Sequence, residues 1–291
     1  MMLYRKTGFI ITLLIPLLVV LSSTGLAGSL VEKLPSGQID WSRLIVEAEG
    51  HGLPDPEMHG AATARKKAAD EAERRAYRNL LDTVMAVRLL GDKTIAQQFS
   101  QKDAVLSKIE DILNSAKTVS TRYLSDGTII KHMAFPLTGA LAQLILPENI
   151  VSIESQEAGN TSDNSDRDAY TGLVVNARGL NLKPALCIKI LDEQGEPVYG
   201  PALISREYAV QNGVCSYMIQ TKAEDGDMKK RVGKSPMIVR AIRVIGPGAS
   251  DLAISNTDAS RIRATVSHLL FLRRCRVMIL CGDAGSSAKT D

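Results

Sequence analysis

The triplet Gly233-Lys234-Ser235 carries the last three letters of a phosphate-binding loop, in which backbone amides and a lysine would cradle a nucleotide. That loop needs a glycine five places before Gly233, and Met228 stands there. A polar loop with Lys229, Lys230 and Arg231 in water is the better assignment. The four histidines, His51, His59, His132 and His268, never fall at i,i+4, so a helical metal site has no footing in spacing. A serine hydrolase would hold its nucleophile on a sharp turn, and no GxSxG occurs. The acids of Asn160-Thr161-Ser162-Asp163-Asn164-Ser165-Asp166 invite calcium, but the spacing fails at the turn glycine and the terminal glutamate. No catalytic, cofactor-binding or metal-ligating residue is expected, and the chain does not read as an enzyme.

Cys187, Cys215, Cys275 and Cys281 all lie in the second half, and an oxidising compartment would permit three ways of pairing them. None forms a CxxC. Cys275 and Cys281 flank an apolar run that reads as a strand of about 20 Å, beyond the roughly 7 Å limit between alpha carbons of a disulfide. That leaves Cys187 with Cys215 as the better bridge, against the competing reading of four small buried thiols.

The elements that would position these groups fall into two sets. Ser42 to His51 reads as a strand ending in Gly50-His51-Gly52. From Glu57 to Asp82 runs the strongest helix, with Ala61, Ala68, Ala72, Ala76 and Leu80 at helical spacing. An alanine face lets a helix lie close on a sheet, while Asp70 with Arg74 and Glu71 with Arg75 belong to a solvated face. A strand at Val84 to Leu90, a helix at Ala104 to Leu113, a hairpin of Val119–Leu124 with Thr128–Phe135, and a helix at Leu137 to Leu146 complete the set.

In the second half, strands are expected at Thr171–Ala177, Leu186–Leu191, Pro197–Tyr199, Met237–Ile245, Leu252–Ile254 and Arg274–Cys281. Glu207–Val210 and Val214–Ile219 flank Asn212-Gly213, the strongest hairpin cue in the chain. One helix should run from Asp258 to Leu270, with Ser255 to Asp258 spaced as a capping box. The expected class is α+β: a first domain over 42–147, a flexible linker over 148–168 that is too polar to order itself, a strand-rich second domain over 169–283, and a polar tail over 284–291.

Ahead of these lies a leader over residues 1–27. Arg5-Lys6, an apolar run from Gly8 to Leu21, and Gly25-Leu26-Ala27 have the order of a secretory signal peptide. An uncleaved anchor is the alternative, but Pro16 interrupts the run and the small residues are placed for cleavage. Without Arg5 and Lys6 the chain holds 33 basic against 32 acidic residues, so no field that would gather nucleic acid remains. Aromatics, at 4%, are too few for a base-stacking platform.

The stretches Val46-Glu47-Ala48-Glu49-Gly50-His51-Gly52, Ala64-Arg65-Lys66-Lys67-Ala68-Ala69-Asp70-Glu71-Ala72 and Ala76-Tyr77-Arg78-Asn79-Leu80-Leu81 resemble the small envelope-lipoprotein domain also found at the amino end of the flagellar protein FlgT. The resemblance covers about residues 45–147. It implies a periplasmic or outer-membrane location and non-catalytic work in surface or flagellum-associated structures. Two features depart from it: the lipidated cysteine is absent, and Met85-Ala86 stand where a glycine commonly precedes the second strand. Lipid anchoring is therefore not carried over. Val174 to Leu180 and Lys189 to Gly195 are similar to segments that follow this domain in uncharacterised envelope proteins. The expectation is an exported interaction or assembly module whose partners are envelope proteins, with peripheral membrane association left open. The alternative is a binding module for a cell-wall polymer or a small ligand.

Overall fold

The computed structural model describes residues 29–55, 61–148, 150, 170–219 and 225–282. The expected leader and polar tail, nearly all of the linker, and His59 lie outside them. The fold is α+β. Among the described residues no helix is long and apolar enough to cross a membrane.

The first half is a five-stranded antiparallel sheet with one long helix across it. A hairpin of β1 (Val31–Leu34) and β2 (Gly37–Asp40) leads into β3 (Ile45–Gly52) and α1 (Ala61–Met85). The small hairpin β4 (Arg88–Leu90) and β5 (Lys93–Thr94) follows, then α2 (Ile95–Gln98) and α3 (Asp103–Leu113). The hairpin β6 (Lys117–Tyr123) and β7 (Ile129–Pro136) precedes α4 (Ala140–Ile145). Strand order is β1-β2-β3-β7-β6, so a sequence-distant pair, β3 with β7, forms the centre.

The alanine stripe does what its spacing predicts. Ala68, Ala72, Ala76 and Leu80 are at most 1% exposed, and α1 lies along β3. The opposing strand offers no side chains where the approach is closest: a Cβ on Gly50 would stand 2.1 Å from the Ala72 carbonyl oxygen and the Ala76 nitrogen, and one on Gly52 would stand 1.8 Å from the Ala68 oxygen. Helix and strand are therefore in backbone contact. The expected strand at Val84–Leu90 is shorter, Arg88–Leu90, because α1 continues to Met85. The hairpin β1–β2 has no counterpart in the sequence expectation.

The second half is a seven-stranded mixed sheet. Its elements are β8 (Leu173–Asn176), β9 (Ile190–Leu191), β10 (Pro197–Tyr199), α5 (Arg206–Asn212), β11 (Ser216–Ile219), α6 (Asp225–Val232), β12 (Met237–Ile245), β13 (Asp251–Ile254), α7 (Asn256–Arg263), α8 (Val266–Arg273) and β14 (Val277–Cys281). The order is β10-β9-β13-β12-β8-β14-β11, with parallel pairing of β8 to both β12 and β14 at the centre.

Three local expectations are corrected here. Asn212-Gly213 does not turn a hairpin: Gly213, at φ +76, ends α5 and donates its amide to the Ala209 carbonyl at 2.8 Å. A glycine at positive φ serves a helix end as well as a tight turn, and the buried Ala209 and the anchored Arg206 favour the helix. Lys229, Lys230 and Arg231 lie in α6 rather than in a loop. The helix expected over 258–270 is two helices, because the Thr265 side chain accepts from the His268 amide and starts a second one. The cap at Ser255 is present, its hydroxyl accepting from the Asp258 amide.

The two halves share one continuous core among the described residues. Leu186 and Cys187 donate their amides to the Arg88 and Leu89 carbonyls at 2.9 and 2.8 Å, so the second half adds to β4. Gly139 donates to the Val210 carbonyl, and Arg206 reaches the Gln143 and Pro147 carbonyls. Trp41, fully buried, meets Tyr217 edge-on with ring centroids 5.9 Å apart. A single core spans residues of both sheets.

The α1–β3 contact sets the first expected outcome. Gly50→Ala should destabilise the chain by about 3 kcal/mol, and Ala72→Leu by about 1 to 3 kcal/mol, through overpacking. Arg74→Ala should leave the denaturant midpoint unchanged, since Arg74 is exposed and pairs only with Glu71 on the same helix. A larger loss for Arg74→Ala than for Gly50→Ala would reverse the assignment of the two helix faces.

Candidate functional site

The residues singled out by type do not converge. Gly233 stands at φ +82 just past the end of α6, its amide bonded to the Lys229 carbonyl, so a helix precedes the triplet where a phosphate loop needs one to follow. His51 is exposed on β3, and His132 on β7 places Nε2 3.8 Å from Glu47 Oε2. His268 is buried beside Tyr170 and Phe271, with Nδ1 2.9 Å from the Arg261 carbonyl oxygen. Among the described residues no group of three or more His, Cys, Asp or Glu side chains is placed to hold a metal ion.

The Cys187–Cys215 bridge expected from the sequence is not formed: all four cysteines are buried free thiols. Burial pushes Cys275 up to about 11 and both Cys215 and Cys281 up to about 12, with Cys187 higher still. Tyr199 and Tyr217 lie in the same core, and their hydroxyls bond the Val214 and Ala185 carbonyls. The thiolate is the reactive form, so these sulfurs pack rather than react.

Two surfaces bear on what the chain could bind at its first half. The first is a cleft of about 760 Å³ where the halves meet, with Glu32, Trp41, Arg88, Leu180, Lys183 and Pro184 on its walls. Its central charges are already used. Arg88 donates through Nη1 and Nη2 to the two Glu32 oxygens and through Nε to the Pro184 carbonyl at 2.8 Å. Trp41 Nε1 donates to Glu32 Oε2 at 2.8 Å, and the guanidinium lies 5.6 Å from the centre of the indole. Burial alone would raise the Glu32 carboxyl. The hydrogen bonds from Arg88 and Trp41, with the charges of Arg88 and Lys183, outweigh it and hold the carboxyl below its ordinary 4.5. This group fastens the β1–β2 hairpin of the first half to the second, and sequence gave no sign of it beyond the lone tryptophan.

The second surface is the edge strand β6. It pairs with β7 alone, and every residue of it except Thr118 is exposed. The register shifts between Thr118 and Ser120, which leaves Val119 as a bulge, 63% exposed. Arg122 reaches across β7 and grips both oxygens of Glu49 on β3, at 2.8 and 3.0 Å. The turn behind it is fixed by the Thr128 amide donating to Asp126 Oδ1 at 2.9 Å and by Gly127 at φ +84. At that end Tyr123 and Leu53 stand 68% and 65% exposed. The reason for the overhang is geometric: α1 lies over β3 and β7, and strands spaced about 4.8 Å apart carry β6 beyond its shadow.

Residues 172–283 are similar to a family described as the second domain of Treponema pallidum Tp0624. No curated protein matches the chain.

Two outcomes follow from the buried groups. The folded chain should resist a water-soluble maleimide at pH 8, where roughly one thiol in a thousand or fewer is ionised. Once unfolded without reductant it should label at four cysteines, and two labels would show a bridge made in the cell. Arg88→Met should cost about 2 kcal/mol, a value reduced for the partial exposure of the pair. Because the folded Glu32 carboxyl lies below its unfolded value, its contribution is complete above about 4.5 and fades as pH falls below that. The difference between wild type and variant in urea melts should shrink across that acid window and be flat from pH 6 to 8.

Proposed function

We propose that this chain is an exported, non-catalytic interaction module of the cell envelope, and that it takes up an extended segment of a partner protein along β6. The observation that carries this reading is the uncovered edge: β6 exposes one row of backbone donors and acceptors beyond its pairing with β7. An edge of this kind is a template for a further strand. Here it is held extended by β7, by the Arg122–Glu49 pair and by a rigid turn, so little order has to be created on binding.

The side chains describe the partner's chemistry. Lys117 at one end favours an acid opposite it, and Tyr123 with Leu53 at the other favours an apolar side chain. Support for the compartment comes from the leader-like residues 1–27 and from the resemblance of residues 45–147 to the envelope-lipoprotein domain shared with FlgT, which also suggests work near the flagellum. A second reading, a binding module for a cell-wall polymer or small ligand, is favoured by the junction cleft of about 760 Å³. The mutual bonding of Glu32, Trp41 and Arg88 speaks against it.

Photo-crosslinking in intact cells tests the proposal. A crosslinking residue at Thr121 or Tyr123 should capture one partner through an extended segment, and one at Lys108 on α3 should not. Thr121→Pro, which disrupts the strand, should abolish capture at Tyr123, and β6 amides should gain exchange protection in the complex. Capture through Lys183 in the cleft with none through β6 would overturn the edge and favour the second reading.

A further inference from the structure

A small pocket of about 250 Å³ lies where α5, α6 and the turn before β14 meet. Lys230, Arg231, Arg274 and Arg276 line it together with Tyr208 and Asn212, and among the described residues no acid does. We propose that this pocket is a binding site for a phosphoryl group, carried by a free phosphate ester or by a phospholipid headgroup.

Basic residues near helix ends often do no more than offset the negative end of a helix dipole. Arg231 does that work. Its Nη1 and Nη2 donate to the Asn212 and Gly213 carbonyls at the end of α5, at 2.5 and 2.9 Å, and Nε donates to the Val277 carbonyl at 3.3 Å. Arg276 reaches the Thr171 carbonyl at 3.4 Å. The side chains of Lys230 and Arg274 make no hydrogen bond or ion pair among the described residues, although they share this rim. Two fixed guanidinium groups and two uncommitted cations thus line one space, with Tyr208 and Asn212 beside them.

The backbone is bent to make this arrangement. Cys275 sits at φ +55, a left-handed conformation that a side chain with a Cβ adopts at a cost of about 1 to 2 kcal/mol. The turn is held by the Cys275 amide on the Leu272 carbonyl and the Arg276 amide on the Phe271 carbonyl, at 2.9 and 3.0 Å. Its effect is to bury the Cys275 thiol while leaving the arginines on either side exposed at the pocket. Strain kept at a cluster of like charges is what a site built for an opposite charge would show.

Size and charge select the ligand. Drug-sized ligands fill roughly 300 to 1,000 Å³. This pocket is smaller and admits a head group, and four cations match a dianion better than a single carboxylate. The site is separate from β6 and does not depend on the proposal made for that strand.

Inorganic phosphate titrated into the full chain at constant ionic strength, followed by calorimetry or by amide shifts, should show one saturable site at millimolar concentration or below. The double variant Lys230→Gln with Arg274→Gln should weaken it about tenfold or more while keeping the wild-type melting midpoint. A control with the same charge change at exposed Lys66 and Lys108 should bind as wild type. Vesicles containing phosphatidic acid, whose phosphomonoester can carry two charges, compared with phosphatidylcholine alone, separate the sources. Co-sedimentation of the wild type but not of the variant assigns a lipid headgroup, and phosphate binding without vesicle binding assigns a soluble ester. Absence of saturable binding, or equal weakening in the control pair, would overturn the site.

Discussion

The backbone contact between α1 and β3 is the constraint on which the first half of the molecule depends. A helix normally stands off a sheet by the thickness of two layers of side chains. Here Gly50 and Gly52 remove one layer and Ala68, Ala72 and Ala76 shrink the other. Several consequences follow from the closeness. Asn79 and Arg75 are near enough to donate to the Glu49 and His51 carbonyls, which lie on the part of β3 that β2 does not reach. Lys131 on β7 reaches Glu73 on the same helix. On the β2 side of β3 the Glu49 and His51 carbonyls are thereby taken by side chains of α1, whereas β6, two strands away on the other side, receives no such cover.

Coupling between the halves has a different physical origin. Beside the bonds from Arg206 of α5 to the Gln143 and Pro147 carbonyls, the β4–β5 hairpin is extended by residues 186 and 187, and Arg88 joins three groups at once. Its carboxylate partner comes from β1, its carbonyl partner from Pro184, and its π partner from Trp41, whose other edge meets Tyr217 of β11. Loss of any member strands polar groups that the others had satisfied, which is costlier than the absence of one contact. The shared core means the halves should unfold together.

Periodic features were legible in the sequence, and features set by long-range partners were not. The alanine stripe of α1, the β6–β7 hairpin around Ser125-Asp126-Gly127, α3 and the long strand β12 follow from spacing and turn chemistry that act within a few residues. The β1–β2 hairpin was invisible because Val31 to Asp40 alternates weakly and gains its order from β3 and Trp41. Asn212-Gly213 misled because positive φ at glycine marks a change of chain direction without saying what it joins. Here it ends a helix.

The groups available for function are those the fold leaves without partners, and sequence cannot supply that list. Arg88 and Arg274 are the same residue type in equally basic or mixed surroundings. The first is consumed by Glu32, Pro184 and the Trp41 ring, and the side chain of the second has no partner among the described residues. Likewise β3 and β6 are both strands of one sheet, but the first is bonded on both sides and the second on one. Accounting for each donor, acceptor and charge therefore separates what holds this protein together from what it can still offer to a partner. On that accounting the cleft between the halves, despite its volume, belongs to the former, and the β6 edge and the cation-lined pocket belong to the latter.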